Sequence, residues 1–179
     1  MRYVAVFGSS EARPGDKNYD AACTVARRMA ERGFGIVTGG YGGVMEAANR
    51  SAKEAGGRSL GITTQAFSAF PERRANPWLD EERCEPTLFA RTQALVKTAA
   101  AYVIFSGAAG TLAEVAFLWA LVRAGLLGEK PIVLVGQVWE NVLVELERAD
   151  FLTSREREAS TVVRTAEEAC AALEQGLSP

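Results

Sequence analysis

The sequence predicts an α/β fold, a Rossmann-like arrangement of three layers with a mostly parallel sheet and helices on both faces. Short apolar runs alternate with amphipathic helical patterns along the 179 residues, and several runs end in Gly or Ser. Strand, helix, strand at this spacing gives right-handed crossovers and therefore parallel strands. Apolar residues make up 48% of the chain, enough for one core. Residues 1–179 are therefore predicted to form a single domain of ordinary size.

The individual elements follow from apolar runs and from the residues that interrupt them. Gly33 ends the first helical pattern, and Pro86 is predicted to lie in the first turn of the third. Residues 63–85 carry Pro71 and Pro77 and are predicted to be irregular. A surface loop is the favoured interpretation, and a lid or a partner contact are the alternatives. The predicted strands are 3–7, 34–38, 59–62, 101–105, 131–135 and 161–163, and the predicted helices are 16–32, 44–55, 86–99, 111–126, 139–148 and 165–175.

Composition excludes several classes of active site. The chain has no histidine, which excludes histidine general bases, Ser-His-Asp triads and histidine-ligated metals. Cys23, Cys84 and Cys170 lie far apart, so they predict free thiols in a reducing cytoplasm and no zinc site. A net charge of -2 with scattered basic residues argues against nucleic-acid binding. We expect no metal and no required cofactor.

Two features argue against a membrane location. The sequence runs from Met1 directly into an apolar strand, so no signal peptide is expected at this end. The longest apolar run, Val115–Val122, is too short to cross a bilayer. We therefore expect a cytoplasmic protein without membrane contacts.

Glycine-rich turns follow the first two strands. Gly8 and Ser9 end the first strand, and the second is followed by Gly39-Gly40-Tyr41-Gly42-Gly43-Val44-Met45. Glycines allow sharp bends and close approach of backbone amides to an anion, and the N-terminus of the following helix adds partial positive charge. The alternative is a tight turn without a ligand. The cluster of glycines favours binding of a phosphate or diphosphate.

A second turn of this kind follows Phe105. It contains Gly107 and Gly110, after which Thr111 is predicted to be the N-cap of a helix, with Glu114 completing a capping box. Thr165 and Glu168 show the same spacing at the last helix, where nothing else indicates a site. Spacing alone therefore favours a structural role for Glu114.

The surroundings of Glu114 and Arg91 add a chemical interpretation. Glu114 precedes an apolar run, where burial raises the pKa of a carboxyl and a helix N-terminus lowers it, a balance that suits proton transfer. Arg91 lies among apolar residues in the preceding helix. It is either a salt-bridged surface residue or a guanidinium that reaches phosphate or ribose oxygens.

Together these segments resemble the LONELY GUY family, whose members are also described as lysine-decarboxylase-like. The resemblance rests on the Gly39–Met45 turn, Arg91 and Gly107-x-x-Gly110-Thr111-x-x-Glu114. It implies a Rossmann-like fold, a homodimer or higher oligomer, and hydrolysis of nucleoside 5′-monophosphates to free base and ribose 5-phosphate. Glu114 would be the catalytic carboxylate, Arg91 would assist by orienting the phosphate or ribose, and the glycine-rich turns would bind the phosphate.

Three departures from that family's motifs leave a second interpretation open. Ser106 replaces a proline, Ala108 replaces a glycine, and Thr92 stands where a lysine is usual. Such variants resemble molybdenum-cofactor carrier proteins, which bind a phosphorylated pterin without turnover. Lysine decarboxylation is disfavoured, because none of the four lysines lies in a glycine-rich turn to form a Schiff base. The predicted partner is thus a small phosphorylated ligand, either a nucleotide or a pterin.

The helix predicted at residues 111–126 is apolar nearly all round. One face is needed to cover the sheet, so the opposite face is predicted to contact a second subunit.

Overall fold

A computed structural model describes residues 1–70 and 73–177. In these residues seven parallel strands form one sheet in the order β4-β3-β2-β1-β5-β6-β7. The predicted α/β class and parallel sheet are confirmed. The strands are β1 Tyr3–Phe7, β2 Gly35–Thr38, β3 Ser59–Thr64, β4 Glu81–Glu85, β5 Ala99–Phe105, β6 Ile132–Val135 and β7 Ser160–Val163.

Helices cover both faces of the sheet. They are α1 Lys17–Glu31, α2 Val44–Glu54, α3 Leu88–Thr98, α4 Ala109–Ala124, α5 Gln137–Arg148, α6 Ser154–Glu158 and α7 Ala166–Leu177, and a 3₁₀ turn spans Gln65–Phe67. Helices α1, α2 and α7 pack on one face, and α3, α4 and α5 on the other. Successive residues of each strand point to opposite faces, so Val4 and Val6 enter the first core, while Ala5 and Phe7 enter the second. Because both faces are covered, most strands are continuous apolar runs.

The strand order reverses direction between β1 and β5. From β1 the chain adds β2, β3 and β4 in turn toward one edge of the sheet. It then crosses to the other side of β1, where β5 lies. In open parallel sheets, ligands bind beyond the carboxyl ends of the strands at such a reversal. The turns after Phe7 and Phe105 lie at this reversal, so the fold itself brings together two turns that are almost a hundred residues apart in sequence.

Residues 63–85 are more regular than predicted. Strand β3 continues to Thr64, a 3₁₀ turn follows at Gln65–Phe67, and Glu81–Glu85 forms β4, which pairs with β3 along its length. The prediction of an irregular loop was wrong there because β4 is an exposed edge strand with a charged sequence, stabilised by backbone pairing. Residues 71 and 72 of this stretch lie outside the described part of the chain.

One predicted helix start is corrected, and one further helix is present that the sequence analysis did not predict. Helix α3 begins at Leu88 with Thr87 as its N-cap, so Pro86 lies before the helix. The Thr87 hydroxyl accepts a hydrogen bond from the Ala90 amide at 3.1 Å, which fixes the start. Helix α6 was not predicted, because it is a single charged turn without apolar periodicity.

All three cysteines are free, as predicted. No helix in the described residues is both long and apolar enough to cross a membrane. Within the same residues, no group of three or more Cys, Asp or Glu side chains is arranged to hold a metal ion.

Candidate functional site

A cavity of about 490 Å³ opens at the carboxyl ends of β1 and β2, beside the start of α4. Its volume lies within the range typical of small-molecule sites. Many of the residues predicted from the sequence line it, although they come from four separate segments of the chain. These are Gly8, Ser9, Gly39, Met45, Arg91, Gly110, Thr111 and Glu114.

Glu114 and Arg91 meet inside this cavity. Arg91 Nη1 lies 3.5 Å from Glu114 Oε1, and each residue is only 8% exposed. Burial raises the pKa of Glu114 to about 7, and the Arg91 guanidinium opposes that rise. The carboxyl therefore changes protonation near neutral pH, which is the range in which a general acid or base is most effective.

Contacts on several sides fix Arg91. Its Nε donates to the Ile62 carbonyl at 2.8 Å, and its guanidinium lies 5.6 Å from the centre of the Tyr41 ring. The same guanidinium lies directly over Gly39, where any Cβ would overlap it. Of the two interpretations left open by the sequence, the salt bridge is present, but it is buried in the cavity rather than at the surface. Contact of Arg91 with phosphate or ribose stays a prediction.

Helix α4 starts earlier than predicted, which changes the role of Thr111. The N-cap is Ala108 and the helix begins at Ala109, so Thr111 is already inside the first turn and is not a cap. No capping box forms with Glu114, whose carboxylate instead faces Arg91. The Thr165–Glu168 pair, by contrast, does form the reciprocal bonds of a capping box. The sequence pattern was the same, but only one of the two carboxylates is used for capping.

The first turn of α4 leaves backbone donors available. Residues 107–110 are all exposed, and no side chain caps the helix. The amides of Ala109, Gly110 and Thr111 precede the first residue whose N–H bonds within the helix, Leu112, which donates to the Ala108 carbonyl. These amides and the helix dipole favour an anion at this end of the cavity.

The Gly39–Gly43 turn is more enclosed. The Gly40 amide donates to Thr38 Oγ1 at 2.9 Å, and the Val44 amide donates to the Ser9 carbonyl at 2.9 Å. Gly40, Gly42, Gly43 and Val44 do not line the cavity, whereas Gly39 and Met45 do. Phosphate contact by this turn stays a prediction, and the amides of Gly40 and Val44 already have acceptors within the protein.

Gly107 lines a second and larger cavity of about 650 Å³, which is bordered by the starts of α1, α5 and α7. Ser106, one of the departures from the family motif, also lines it, and its hydroxyl accepts from Asn18 Nδ2 at 2.6 Å. That bond ties α1 to the turn after β5. The second cavity lacks a buried ion pair like that of Glu114 and Arg91 in its described lining, so the smaller cavity is the stronger candidate.

Sequence reasoning missed the aromatic wall of the cavity. Tyr41, Phe67 and Arg73 line it, and the Tyr41 and Phe67 rings meet edge to face with centroids 5.6 Å apart. In the sequence, Tyr41 is marked only by its place within the glycine-rich turn. Phe67 and Arg73 lie in the stretch predicted to be a loop, where no periodicity marks them.

Comparison with known proteins finds one relative by sequence and several solved structures with a similar fold. An uncharacterised protein from Archaeoglobus fulgidus is 29% identical over 118 residues, which cover 65% of this chain and 72% of that protein. Among solved structures, the structural-genomics target TM1055 superposes with a TM-score of 0.76 at 26% identity, over 98% of this chain and 99% of its own. The Moco carrier protein of Chlamydomonas rheinhardtii superposes with a TM-score of 0.73 at 26% identity, over 100% and 99%.

A family model extends over nearly the whole sequence. The SLOG cluster4 family model matches residues 1–171, a stretch that includes the sheet, both glycine-rich turns and the buried Arg91–Glu114 pair. On this match, the chain belongs to the SLOG cluster4 family.

Proposed function

We propose that this protein binds a nucleoside 5′-monophosphate in the Glu114 cavity and hydrolyses its N-glycosidic bond. The observation that carries the proposal is the buried carboxylate, which pairs with Arg91 and whose pKa is raised to about 7. This carboxylate lies in a cavity that is also lined by the first turn of α4, which has no side-chain cap. The resemblance to LONELY GUY phosphoribohydrolases, through the same residues, points to the same chemistry.

The steps follow from the charges in the cavity. The phosphate binds at the amides of Ala109, Gly110 and Thr111, far enough from the reacting bond to supply positioning energy. Cleavage develops positive charge on the ribose, as in an oxocarbenium ion. Ionised Glu114 stabilises that charge or removes a proton from the attacking water. Arg91 keeps a fraction of Glu114 ionised at neutral pH, because its positive charge opposes the effect of burial.

A second candidate function is supported by the likeness to the Moco carrier protein of Chlamydomonas, which spans both chains almost completely. In this case the cavity binds a phosphorylated pterin such as molybdenum cofactor without turnover. The amides of α4 again bind the phosphate, and Glu114 then contributes to binding rather than to catalysis.

One experiment separates the two candidates. Purified protein is incubated with AMP, GMP, IMP and CMP, and free base is measured by chromatography, while mass spectrometry and fluorescence examine what co-purifies. We expect base release by the wild-type protein and a loss of about a hundredfold or more in Glu114→Gln, with AMP affinity unchanged. Equal turnover by the two proteins would contradict catalysis by Glu114. A bound pterin without base release would select the carrier.

We also propose that the outer face of α4 joins two copies of the chain. Leu112, Ala116, Phe117 and Ala120 on this face are exposed, and α4 carries its first charged residue after Glu114 only at Arg123. Light scattering is expected to show a dimer or a higher oligomer. Phe117→Glu should shift the protein toward monomer, whereas Phe151→Glu, at an exposed aromatic residue outside α4, should not. A wild-type monomer at micromolar concentration would refute this proposal.

A further inference from the structure

The chain after β3 builds one wall of the Glu114 cavity around a stacked arginine. The Arg73 Cζ lies 4.2 Å from the centre of the Phe67 ring and 5.5 Å from that of Phe70, and both Phe67 and Arg73 line the cavity. Attraction between the guanidinium and the two rings holds the Arg73 side chain at this wall, and its N–H groups make no hydrogen bond to another described residue. Arg73 is therefore oriented by its neighbours before any ligand arrives.

Hydrogen bonds before and after this segment in the sequence join it to the Gly39–Gly43 turn. Before it, the Thr64 amide donates to the Tyr41 hydroxyl at 3.0 Å. After it, the Asn76 amide donates to the Gly40 carbonyl at 2.8 Å, and Asn76 Nδ2 donates to the Tyr41 carbonyl at 2.9 Å. Asn76 is buried, so these bonds are shielded from water. The position of Arg73 is thus coupled to the turn that borders the site.

The two arginines of the cavity differ in their partners. Arg91 donates to the Ile62 carbonyl and pairs with Glu114, so much of its hydrogen-bonding capacity is already used. Arg73 makes no ion pair with any carboxylate of the described residues, and it is an exposed residue that lines the cavity. An arginine with free N–H groups is well suited to bind a phosphate with two parallel hydrogen bonds.

We propose that Arg73 is the side chain that binds the phosphate of the ligand, opposite the backbone amides of α4. The identification of the anion as a phosphate monoester rests on the proposed function. Arg91 is in this view a positioning residue for Glu114, and Arg73 decides that a phosphorylated ligand is preferred over its unphosphorylated form.

Adjacent arginines provide the test. Arg73→Ala and Arg74→Ala remove the same charge from neighbouring exposed positions, but only Arg73 lines the cavity. Affinities for AMP, adenosine and inorganic phosphate are measured by titration calorimetry at fixed ionic strength. We expect Arg73→Ala to weaken AMP and phosphate binding about tenfold or more and to leave adenosine nearly unchanged. Arg74→Ala should change all three by less than about twofold.

The Arg73→Lys variant and three other results of these titrations also test the role of Arg73. Arg73→Lys should recover only part of the AMP affinity, because a lysine keeps the charge but loses the planar pair of donors. Equal weakening of AMP and adenosine by Arg73→Ala would assign Arg73 to the base and overturn the proposal. Equal effects of the two alanine variants would also overturn it, since they would reflect long-range charge alone. Failure of the wild-type protein to bind either AMP or phosphate at millimolar concentration would do the same.

The experiments distinguish a wrong assignment of Arg73 from a wrong assignment of the hydrolase activity. Base release that persists while Arg73→Ala binds AMP normally would retain the hydrolase and reject Arg73. Arg73-dependent phosphate binding without any base release would retain Arg73 and reject the hydrolase.

Discussion

The two glycine-rich turns look alike in sequence but differ in burial and hydrogen bonding. The Gly39–Gly43 turn is largely buried, and Thr38 and Asn76 exchange hydrogen bonds with its backbone. The Ser9 carbonyl accepts from the amide of Val44, the residue that follows the turn. Residues 107–110 are exposed, and the helix that follows starts without a side-chain cap. We infer that the first turn mainly shapes the cavity, whereas the second provides the free donors for an anion.

The same contrast explains why glycine is needed at the first turn. Gly43 has a φ of +68°, and a Cβ there would overlap the backbone of Ser9 and Ser10. Those two residues belong to the turn after β1, which the Val44 amide also contacts. At Gly110, by contrast, a Cβ would meet nothing within 4 Å. A glycine cluster can therefore result from close backbone packing as well as from ligand binding.

The largest effect is expected for Gly43→Ala. Both the positive φ and the overlap with the Ser9 carbonyl oppose a side chain, so we expect a loss of about 2–4 kcal/mol in the free energy of unfolding. Urea denaturation measures it. Gly56→Ala is the matched control, since Gly56 has a φ of +77° but open space at its Cβ position, and it should lose only about 1 kcal/mol. Similar losses in both variants would show that the first turn is not closely packed.

A smaller effect is expected from the protonation of Glu114, next to the second turn. Its pKa is raised from an ordinary value of 4.5 to about 7, so the folded protein binds a proton that the unfolded chain releases between these values. The free energy of unfolding should therefore fall as the pH rises from 4.5 to 7, by up to about 3 kcal/mol. Glu114→Gln should lack this decrease and become the more stable protein at pH 8. Parallel pH profiles for the two proteins would contradict the burial of an ionisable carboxyl.

Several features of this site were predictable from the sequence, because local patterns encode them. Strand β1 was predicted with its observed bounds, since a short apolar run between a terminus and a glycine has few alternatives. Arg91 and Glu114 were selected by their apolar surroundings, and the structure brings them to 3.5 Å. Their pairing itself needs the three-dimensional fold, because the residues come from α3 and α4.

Other features of the fold and of the cavity could not be predicted, because no pattern in the local sequence marks them. Strand β4 has the sequence EERCE, whose exposed and charged side chains give no period-two pattern. Phe67 and Arg73 belong to a stretch without periodicity, and the bonds of Thr64 and Asn76 to the distant turn bring that stretch to the cavity. The start of α4 was misplaced because Thr111 and Glu114 have the spacing of a capping box, while the actual N-cap, Ala108, carries no capping side chain.

The smallest effect on stability, and the sharpest comparison of the two turns, is expected for Gly42→Ala and Gly110→Ala. Neither glycine has a positive φ, and the nearest atom to an added Cβ is 3.4 Å away at Gly42, while none lies within 4 Å at Gly110. Both variants should keep the wild-type free energy of unfolding within about 1 kcal/mol. Because only Gly110 lines the cavity, its methyl group should weaken AMP and phosphate binding several-fold, whereas Gly42→Ala should leave both affinities unchanged. The reverse result by titration calorimetry would place the anion at the first turn, and the free amides of Gly42 and Gly43 would then be its donors.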